Sequence, residues 1–318
     1  MPSVIAHYLL NRRLLDSLPD ALKAPGAKEA FLLGAQGPDV LFYAGQPSLK
    51  GKNLINKASS RLHGDLAELG LEAMLQAVRQ ASPDSRPALE AYLKGFLCHY
   101  CLDRRLHPYI HWAADRLGDA SKTRTGGLCL HFRVETALDI ILLRSETGQT
   151  ILDFKPKTAL PRCPETEALI AGLYAKVIAA VLGSEPPLAL LRGAFRSMRR
   201  ALWFFYSPWG IKRGLFAFCE RFVSENRRFY TALSHTVTED LLMDYGNFAC
   251  NAWENPFTGE RSFCSALELF EETVAECRKL LAAADELLKG SGELFCLSCG
   301  LMFSGEPLPA RPASCSSK

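Results

Sequence analysis

Apolar residues recur at helical spacing in one segment after another of this chain, and strand-like alternation is nearly absent. Residues three and four apart share one face of an α-helix, so each segment presents an apolar stripe that must be buried against a neighbour. No apolar run reaches the roughly 18 residues that a membrane-spanning helix needs. We therefore expect an all-α fold, a multi-helix bundle. The predicted helices cover residues 4–18, 62–78, 87–106, 130–143, 164–182, 188–205, 223–243 and 265–288.

Proline and glycine mark the expected breaks between helices. Pro108 disfavours the helical conformation at His107, so the third predicted helix is expected to end there. Residues 34–61 form a long connection around Gly37-Pro38-Asp39. Long connections in compact domains are often functional, so this one is a candidate part of a site.

The chain divides into three predicted regions. Residues 1–185 are expected to form a helical domain that carries all candidate ligands, and residues 186–289 a helical region packed on it. Residues 290–318 are rich in Ser, Pro and Gly toward their end, which is typical of a poorly ordered tail.

Composition narrows the class of protein. The hydrophobic fraction of 48% is too high, and the net charge of +3 too low, for intrinsic disorder. The near-neutral balance also argues against nucleic-acid binding driven by bulk charge. The N-terminus has no basic segment followed by an uninterrupted apolar run, so no secretory signal is evident and a cytoplasmic location is expected.

The histidines are distributed unevenly. Six of the seven precede residue 132, and only His235 follows it. A lone histidine such as His235 is more often a hydrogen-bonded structural residue than a ligand. The early histidines are His7, His63, His99, His107, His111 and His131.

Two of these histidines stand four residues before a carboxylate. His99 precedes Asp103, and His131 precedes Glu135, so each pair can point into one site from one helical face. His107 lies one turn beyond Asp103. Imidazole nitrogen and carboxylate oxygen together suit zinc, and burying such groups without a cation would be costly. The pattern therefore predicts a zinc site.

Other metal-dependent classes lack their signatures here. The chain contains no His-Asp dipeptide of the kind used by HD-type phosphohydrolases, no H-E-x-x-H of zinc proteases and no E-x-x-H of ferritin-like di-iron proteins.

The order of the motifs resembles the zinc-dependent phospholipase C family, whose wider superfamily includes single-strand-specific zinc nucleases. The resemblance covers roughly residues 1–180 and implies a helical bundle that holds two or three zinc ions. The motifs are His7, Gly37-Pro38-Asp39, His63, His99-x-x-x-Asp103-x-x-x-His107-Pro108 and His131-x-x-x-Glu135.

The resemblance also implies how the ligands are shared. One zinc would be held by Asp39, His63, His99 and Asp103, with Asp103 bridging to another. A second would be held by His107, His131 and Glu135. His7 would hold a third beside Asp103 and the N-terminal amine, which removal of Met1 would leave on Pro2. The spacing after Asp103 is shorter than in secreted phospholipases, so His111 stays an alternative to His107.

The implied chemistry is hydrolysis of a phosphodiester by metal-activated water, with a phospholipid or small phosphodiester as substrate. Asp39 would orient or deprotonate the water, or else act as a turn cap or ordinary ligand. The alternatives are a nuclease-like phosphodiesterase of the same superfamily and a non-catalytic, metal-stabilised interaction protein.

Residues 202–218 contain seven aromatic side chains, and six basic side chains lie among and just before them, in residues 192–213. Such a mixture suits a peripheral membrane contact with anionic lipid, or stacking on single-stranded nucleic acid. The simplest interpretation, which we favour here, is aromatic residues that fill a helical core beneath a solvated basic face. The near-neutral net charge favours a lipid or a small phosphodiester over nucleic acid.

Overall fold

The computed structural model describes residues 3–45, 53–121, 127–222, 230–237, 243–291 and 295–309. In these residues the fold is all-α, as predicted, with one two-stranded antiparallel sheet, β1 (Trp253–Glu254) and β2 (Arg261–Ser262). None of the described helices has the length and apolar character needed to cross a membrane. The helices are α1 (Val4–Leu15), α2 (Ala27–Gly34), α3 (Leu54–His63), α4 (Ala67–Arg79), α5 (Arg86–Ser121), α6 (Gly127–Thr147), α7 (Pro164–Leu182), α8 (Leu188–Phe205), α9 (Ile211–Glu220), α10 (Ala266–Leu288) and α11 (Phe295–Ser298). Short 3₁₀ helices cover Asp20–Leu22, Gly37–Tyr43 and Pro156–Ala159.

Helix α5 is the centre of the bundle, with α1, α2, α6 and α10 packed around it. Three fully buried tyrosines along it bond through their hydroxyl groups to further neighbours, namely α7, α11 and the segment at Tyr245. Tyr92 donates to the Tyr174 hydroxyl at 2.8 Å, and Tyr100 and Tyr109 donate to main-chain carbonyls at 2.6 and 2.8 Å. Because a buried hydroxyl without a partner is costly, these bonds specify how the neighbours sit on α5.

The prediction that the third helix ends at His107 is wrong, because α5 runs through Pro108 to Ser121. A proline inside a helix costs about 3 kcal/mol. Beyond it, however, Tyr109, Ile110 and Ala113 are fully or almost fully buried. Burying each large apolar side chain gains about 1.5–3 kcal/mol, so tertiary packing outweighs the local penalty.

Two further helix predictions need correction. The predicted helix 62–78 is divided into α3 and α4, because the backbone leaves the helical region at Gly64. In the predicted helix 223–243, the described residues 230–237 form turns and coil. There the Ala232 carbonyl accepts the Thr136 hydroxyl at 2.8 Å, a bond to another element in place of a helical one. Residues 223–229 and 238–242 of that predicted helix lie outside the described residues.

The C-terminal segment 295–309, which falls in the predicted tail, is packed against the bundle. It contains α11 and an antiparallel bridge between Leu301 and Pro307. Leu297 and Phe303 are buried, and these apolar anchors outweigh the polar composition around them. Residues 310–318 lie outside the described part, and the division of the chain at residues 185 and 289 stays a prediction.

The aromatic residues of α8 and α9 do not all enter the core, contrary to our expectation. The Phe216 ring packs among neighbouring aromatic rings, with the Phe204 ring centroid 5.1 Å away. By contrast, Trp203, Trp209 and Phe218 are exposed to solvent.

Candidate metal centre

The predicted ligands converge from five elements onto one face of α5. His99, Asp103 and His107 follow one another at four-residue spacing on that helix, so they share this face. Within the described residues, three groups have donor atoms within 4.8 Å of one another. They are His7 with His99 and Asp103, Asp39 with His63 and His99, and His107 with His131 and Glu135.

Asp103 connects the groups. Its Oδ1 lies 3.1 Å from His7 Nε2 and 3.7 Å from His107 Nδ1, and its Oδ2 lies 3.2 Å from His99 Nε2. The structure therefore brings all eight predicted residues into a single continuous cluster. His99 belongs to two of the groups. The resemblance had implied that Asp103, not His99, is the residue shared between two zinc ions.

The Gly-Pro pair before Asp39 needs its glycine because the backbone at Gly37 lies against the His99 ring. The backbone there has φ +46°, and a Cβ would lie 2.2 Å from His99 Cδ2, so the chain crosses directly over the imidazole. Only glycine fits both requirements. The 3₁₀ helix that follows buries Asp39 and places its Oδ1 3.0 Å from His63 Nε2.

Three of the histidines have their Nδ1 atoms held by main-chain carbonyls. His63 lies 2.8 Å from the Ser59 oxygen, His99 3.0 Å from that of Ala35, and His107 3.0 Å from that of Phe303. A carbonyl can only accept, so Nδ1 carries the proton in each ring. In the neutral ring Nε2 then has a free lone pair, which is what a metal ligand requires.

The donor atoms are arranged as a cation would require. Among the described residues, the buried atoms His7 Nδ1 and His99 Nε2 have no hydrogen-bond partner. The Nε2 atoms of His107 and His131 both face the same Glu135 oxygen, at 3.4 and 3.2 Å. Lone pairs that face a carboxylate repel it unless a proton or a metal lies between them, so these residues fit zinc.

The pKa shifts of the cluster residues also favour a bound cation. Burial opposes ionisation of Asp103 and Glu135, yet nearby positive charge, which includes the surrounding imidazoles, holds the pKa of both carboxyl groups well below the usual range. Burial, aided by His99, lowers the pKa of His7 to about 4. For His107, burial is outweighed by Asp103 and Glu135, which raise its pKa to about 9. The cluster is therefore rich in negative charge that a cation can neutralise.

His111 lies at the rim of the cluster. It is half-buried, with its ring centroid 4.9 Å from that of His131, and it belongs to none of the three groups found among the described residues. Burial, followed by the charges of His131 and His107, lowers its pKa to about 4. His107, which stands between Asp103 and Glu135, has the better geometry for a ligand.

Two residues of the site were missed from the sequence. Tyr43 lies four residues after Asp39, and burial together with the Asp39 and Glu135 carboxylates raises the pKa of its hydroxyl, so it stays protonated. Its spacing from Asp39 does not indicate it, because a 3₁₀ helix brings residues three apart, not four, to one face. Phe303 contacts the rings of His63 and His99 and offers its carbonyl to His107, but nothing in its sequence context signals this.

His235 is structural, and it has the partner that the sequence did not reveal. Its Nε2 lies 2.9 Å from Asp139 Oδ2, and both residues are buried. Asp139 Oδ1 accepts the Ala6 N–H at 2.8 Å, so the pair anchors the first turn of α1 beside His7. The predicted N-terminal amine ligand on Pro2 lies outside the described residues.

Comparison with known proteins agrees with this geometry. Residues 6–177, more than half of the chain, match the family model described as zinc dependent phospholipase C, and this span contains all eight predicted ligands. No curated protein and no solved structure matches the chain. The chain belongs to the zinc-dependent phospholipase C family.

Proposed function

We propose that this protein is a zinc-dependent, phospholipase C-like hydrolase that cleaves a phosphodiester. The observation that carries the proposal is the joining of three donor groups into one cluster through His99 and Asp103. A structural zinc site needs only four closed ligands, whereas this cluster offers eight, which suits a multinuclear hydrolytic centre.

We assign one zinc to Asp39, His63 and His99, a second to His107, His131 and Glu135, and a third to His7 with Asp103. Zinc bound there would supply Lewis-acid charge to the phosphoryl oxygens and make water acidic enough to ionise near neutral pH.

Two side chains of the 3₁₀ helix Gly37–Tyr43, Asp39 and Tyr43, would contact the attacking water and the substrate. Burial opposes ionisation of Asp39, but the positive charges around it and the His63 hydrogen bond lower its pKa to about 2. So weak a base is suited to accepting a hydrogen bond from the attacking water and orienting it, more than to removing its proton outright. Tyr43, which stays protonated, would donate a hydrogen bond to a phosphoryl or leaving oxygen.

The test is hydrolysis of bis(4-nitrophenyl) phosphate, a soluble generic phosphodiester, by zinc-loaded protein. The substitution Asp39→Asn is expected to lower turnover by about 10²–10⁴-fold, the range usual for a positioned acid or base group. Asp65→Asn, which changes an exposed carboxylate paired with Arg61, is the matched control and should leave turnover unchanged.

Zinc content, measured on the same samples, separates loss of a ligand from loss of water orientation. Wild-type protein that binds at least two zinc ions per chain and hydrolyses no phosphodiester would contradict the proposal and favour a metal-stabilised interaction protein. Activity confined to single-stranded nucleic acid would favour the nuclease-like alternative, and activity on phospholipid would identify a lipid substrate.

A further inference from the structure

Helix α9 turns its apolar stripe toward solvent. Ile211, Leu215 and Phe218 follow at i, i+4 and i+7, and Phe222 continues the stripe directly after the helix ends. Their exposed fractions are 78%, 60%, 56% and 77%. A surface helix of a globular protein normally buries such a stripe, so α9 presents an apolar face that the described chain does not cover.

Two tryptophans flank this face. Trp203, at the end of α8, is 59% exposed, and Trp209, just before α9, is 73% exposed. The Lys212 ammonium lies 4.6 Å from the centre of the Trp203 ring. Exposed tryptophan beside lysine is typical of side chains that lie at the boundary between water and lipid. We call this set the apolar surface: Trp203, Trp209, Ile211, Leu215, Phe218 and Phe222.

A basic groove adjoins the apolar surface. Arg192, Arg196 and Arg200 are exposed at four-residue spacing along α8, and Trp203 lines the same groove. The groove has a volume of about 590 Å³. We define the basic groove by its lining cations other than Arg199: Lys157, Arg162, Arg192, Arg196 and Arg200.

The groove carries a net positive charge. Its one lining carboxylate among the described residues, Glu167, is held by Arg199 through bonds of 2.8 and 3.0 Å. The five remaining cations are therefore available to an anionic partner.

We propose that the apolar surface and the basic groove form a docking surface for an anionic phospholipid bilayer. The apolar side chains of α9 insert among the acyl chains near the headgroups, and the arginines of α8 contact lipid phosphates. A bilayer supplies both partners at once. A second copy of the chain would bring two basic grooves together, and a nucleic acid would leave Ile211 and Leu215 without an apolar partner.

Hydrogen bonds connect the docking surface to the candidate metal centre. Glu220 of α9 accepts the N–H groups of Tyr230 and Thr231 at 2.6 and 3.2 Å. The next residue, Ala232, accepts the hydroxyl of Thr136 at 2.8 Å, and Thr136 follows the candidate ligand Glu135 on α6. Docking through α9 would thus bring the part of the metal centre on α6 close to the bilayer. This consequence rests on the proposed function, whereas docking itself does not.

The experiment is co-sedimentation of the full-length, zinc-loaded protein with phosphatidylcholine vesicles, with and without phosphatidylserine. The double variant Leu215→Ser/Phe218→Ser removes apolar contacts, and Arg192→Glu/Arg196→Glu reverses two charges. The substituted residues are exposed, so folding is preserved, which circular dichroism checks. The control for the apolar variant is Phe263→Ser, which changes a phenylalanine directly after β2 that is as exposed as Leu215 and Phe218. The control for the charge variant is Arg278→Glu, which changes an exposed arginine of α10.

We expect wild-type protein and both controls to bind the phosphatidylserine vesicles, and each double variant to bind at least tenfold more weakly. Binding by the arginine variant should also lose its dependence on phosphatidylserine and on salt. Absence of vesicle binding, or equal binding by variants and controls, would overturn the proposal. A concentration-dependent dimer that Leu215→Ser/Phe218→Ser abolishes would assign the surface to a second copy, and oligonucleotide binding lost in the same variants would assign it to nucleic acid.

Hydrolysis of bis(4-nitrophenyl) phosphate keeps the two proposals separate. Leu215→Ser/Phe218→Ser should leave this soluble reaction unchanged while vesicle binding falls. Vesicle binding without any hydrolysis would remove the proposed function and leave the docking surface, whereas hydrolysis without vesicle binding would do the reverse.

Discussion

The substitution Gly305→Ala tests whether the C-terminal segment holds His107 in the orientation that zinc requires. Gly305 has φ +78°, and a Cβ would lie 2.6 Å from the Arg104 carbonyl oxygen and 2.8 Å from Pro108 Cγ. Both atoms belong to α5 and cannot rotate away. The segment must therefore shift, and with it the Phe303 carbonyl that accepts the His107 Nδ1 proton at 3.0 Å.

Two costs are expected, and they can be measured separately. An alanine in the left-handed region costs about 1–2 kcal/mol of folding stability. Loss of the partner that orients a metal-bound histidine typically costs 10–100-fold in metal affinity. That range corresponds to about 1.4–2.8 kcal/mol of binding free energy.

Gly259→Ala is the matched control. Gly259 has φ +73°, nearly the same backbone conformation, but a Cβ there meets nothing within 4 Å. Urea unfolding should show a loss of stability in both variants, greater for Gly305→Ala. Competition with a zinc chelator should show weakened zinc binding for Gly305→Ala only. Zinc affinity of the Gly305→Ala variant equal to that of the control would refute the role assigned to the Phe303 carbonyl.

Two further predictions concern the groups around the cluster. Asp139→Ala leaves the buried His235 and the Ala6 N–H without their acceptor, so the free energy of unfolding in urea should fall by about 1–3 kcal/mol for each lost bond. The control Asp115→Ala, at an exposed residue, should lower it far less. Equal losses in the two variants would contradict the anchoring role of Asp139. Zinc binding at pH 7 should release a proton from His107, whose pKa of about 9 keeps it charged in the absence of metal, so that zinc affinity rises with pH up to about 9. Calorimetry in two buffers of different ionisation enthalpy measures this release, and a heat independent of buffer would contradict it.

The parts of the fold that could be predicted are those specified by contacts close in sequence. The bounds of α7 and α8 match the predicted helices because an apolar stripe and a terminal proline or glycine stand together there. The His99–Asp103 and His131–Glu135 pairs were predicted because helical spacing alone brings them to one face. Pro108 misled the prediction, since the packing of α5 against neighbours distant in sequence decided the outcome.

The C-terminal contribution to the site could not be predicted, for a different physical reason. The group that Phe303 gives to His107 is a main-chain carbonyl, which every residue possesses, so no side-chain pattern can distinguish it. The segment also lies outside the matched span 6–177, although all eight predicted ligands lie within it. A chain with the same ligands and a different C-terminal segment would have to supply another acceptor for His107 Nδ1. Without one, the ring could exchange its proton between Nδ1 and Nε2, and part of the population would present a proton to zinc where a lone pair is needed.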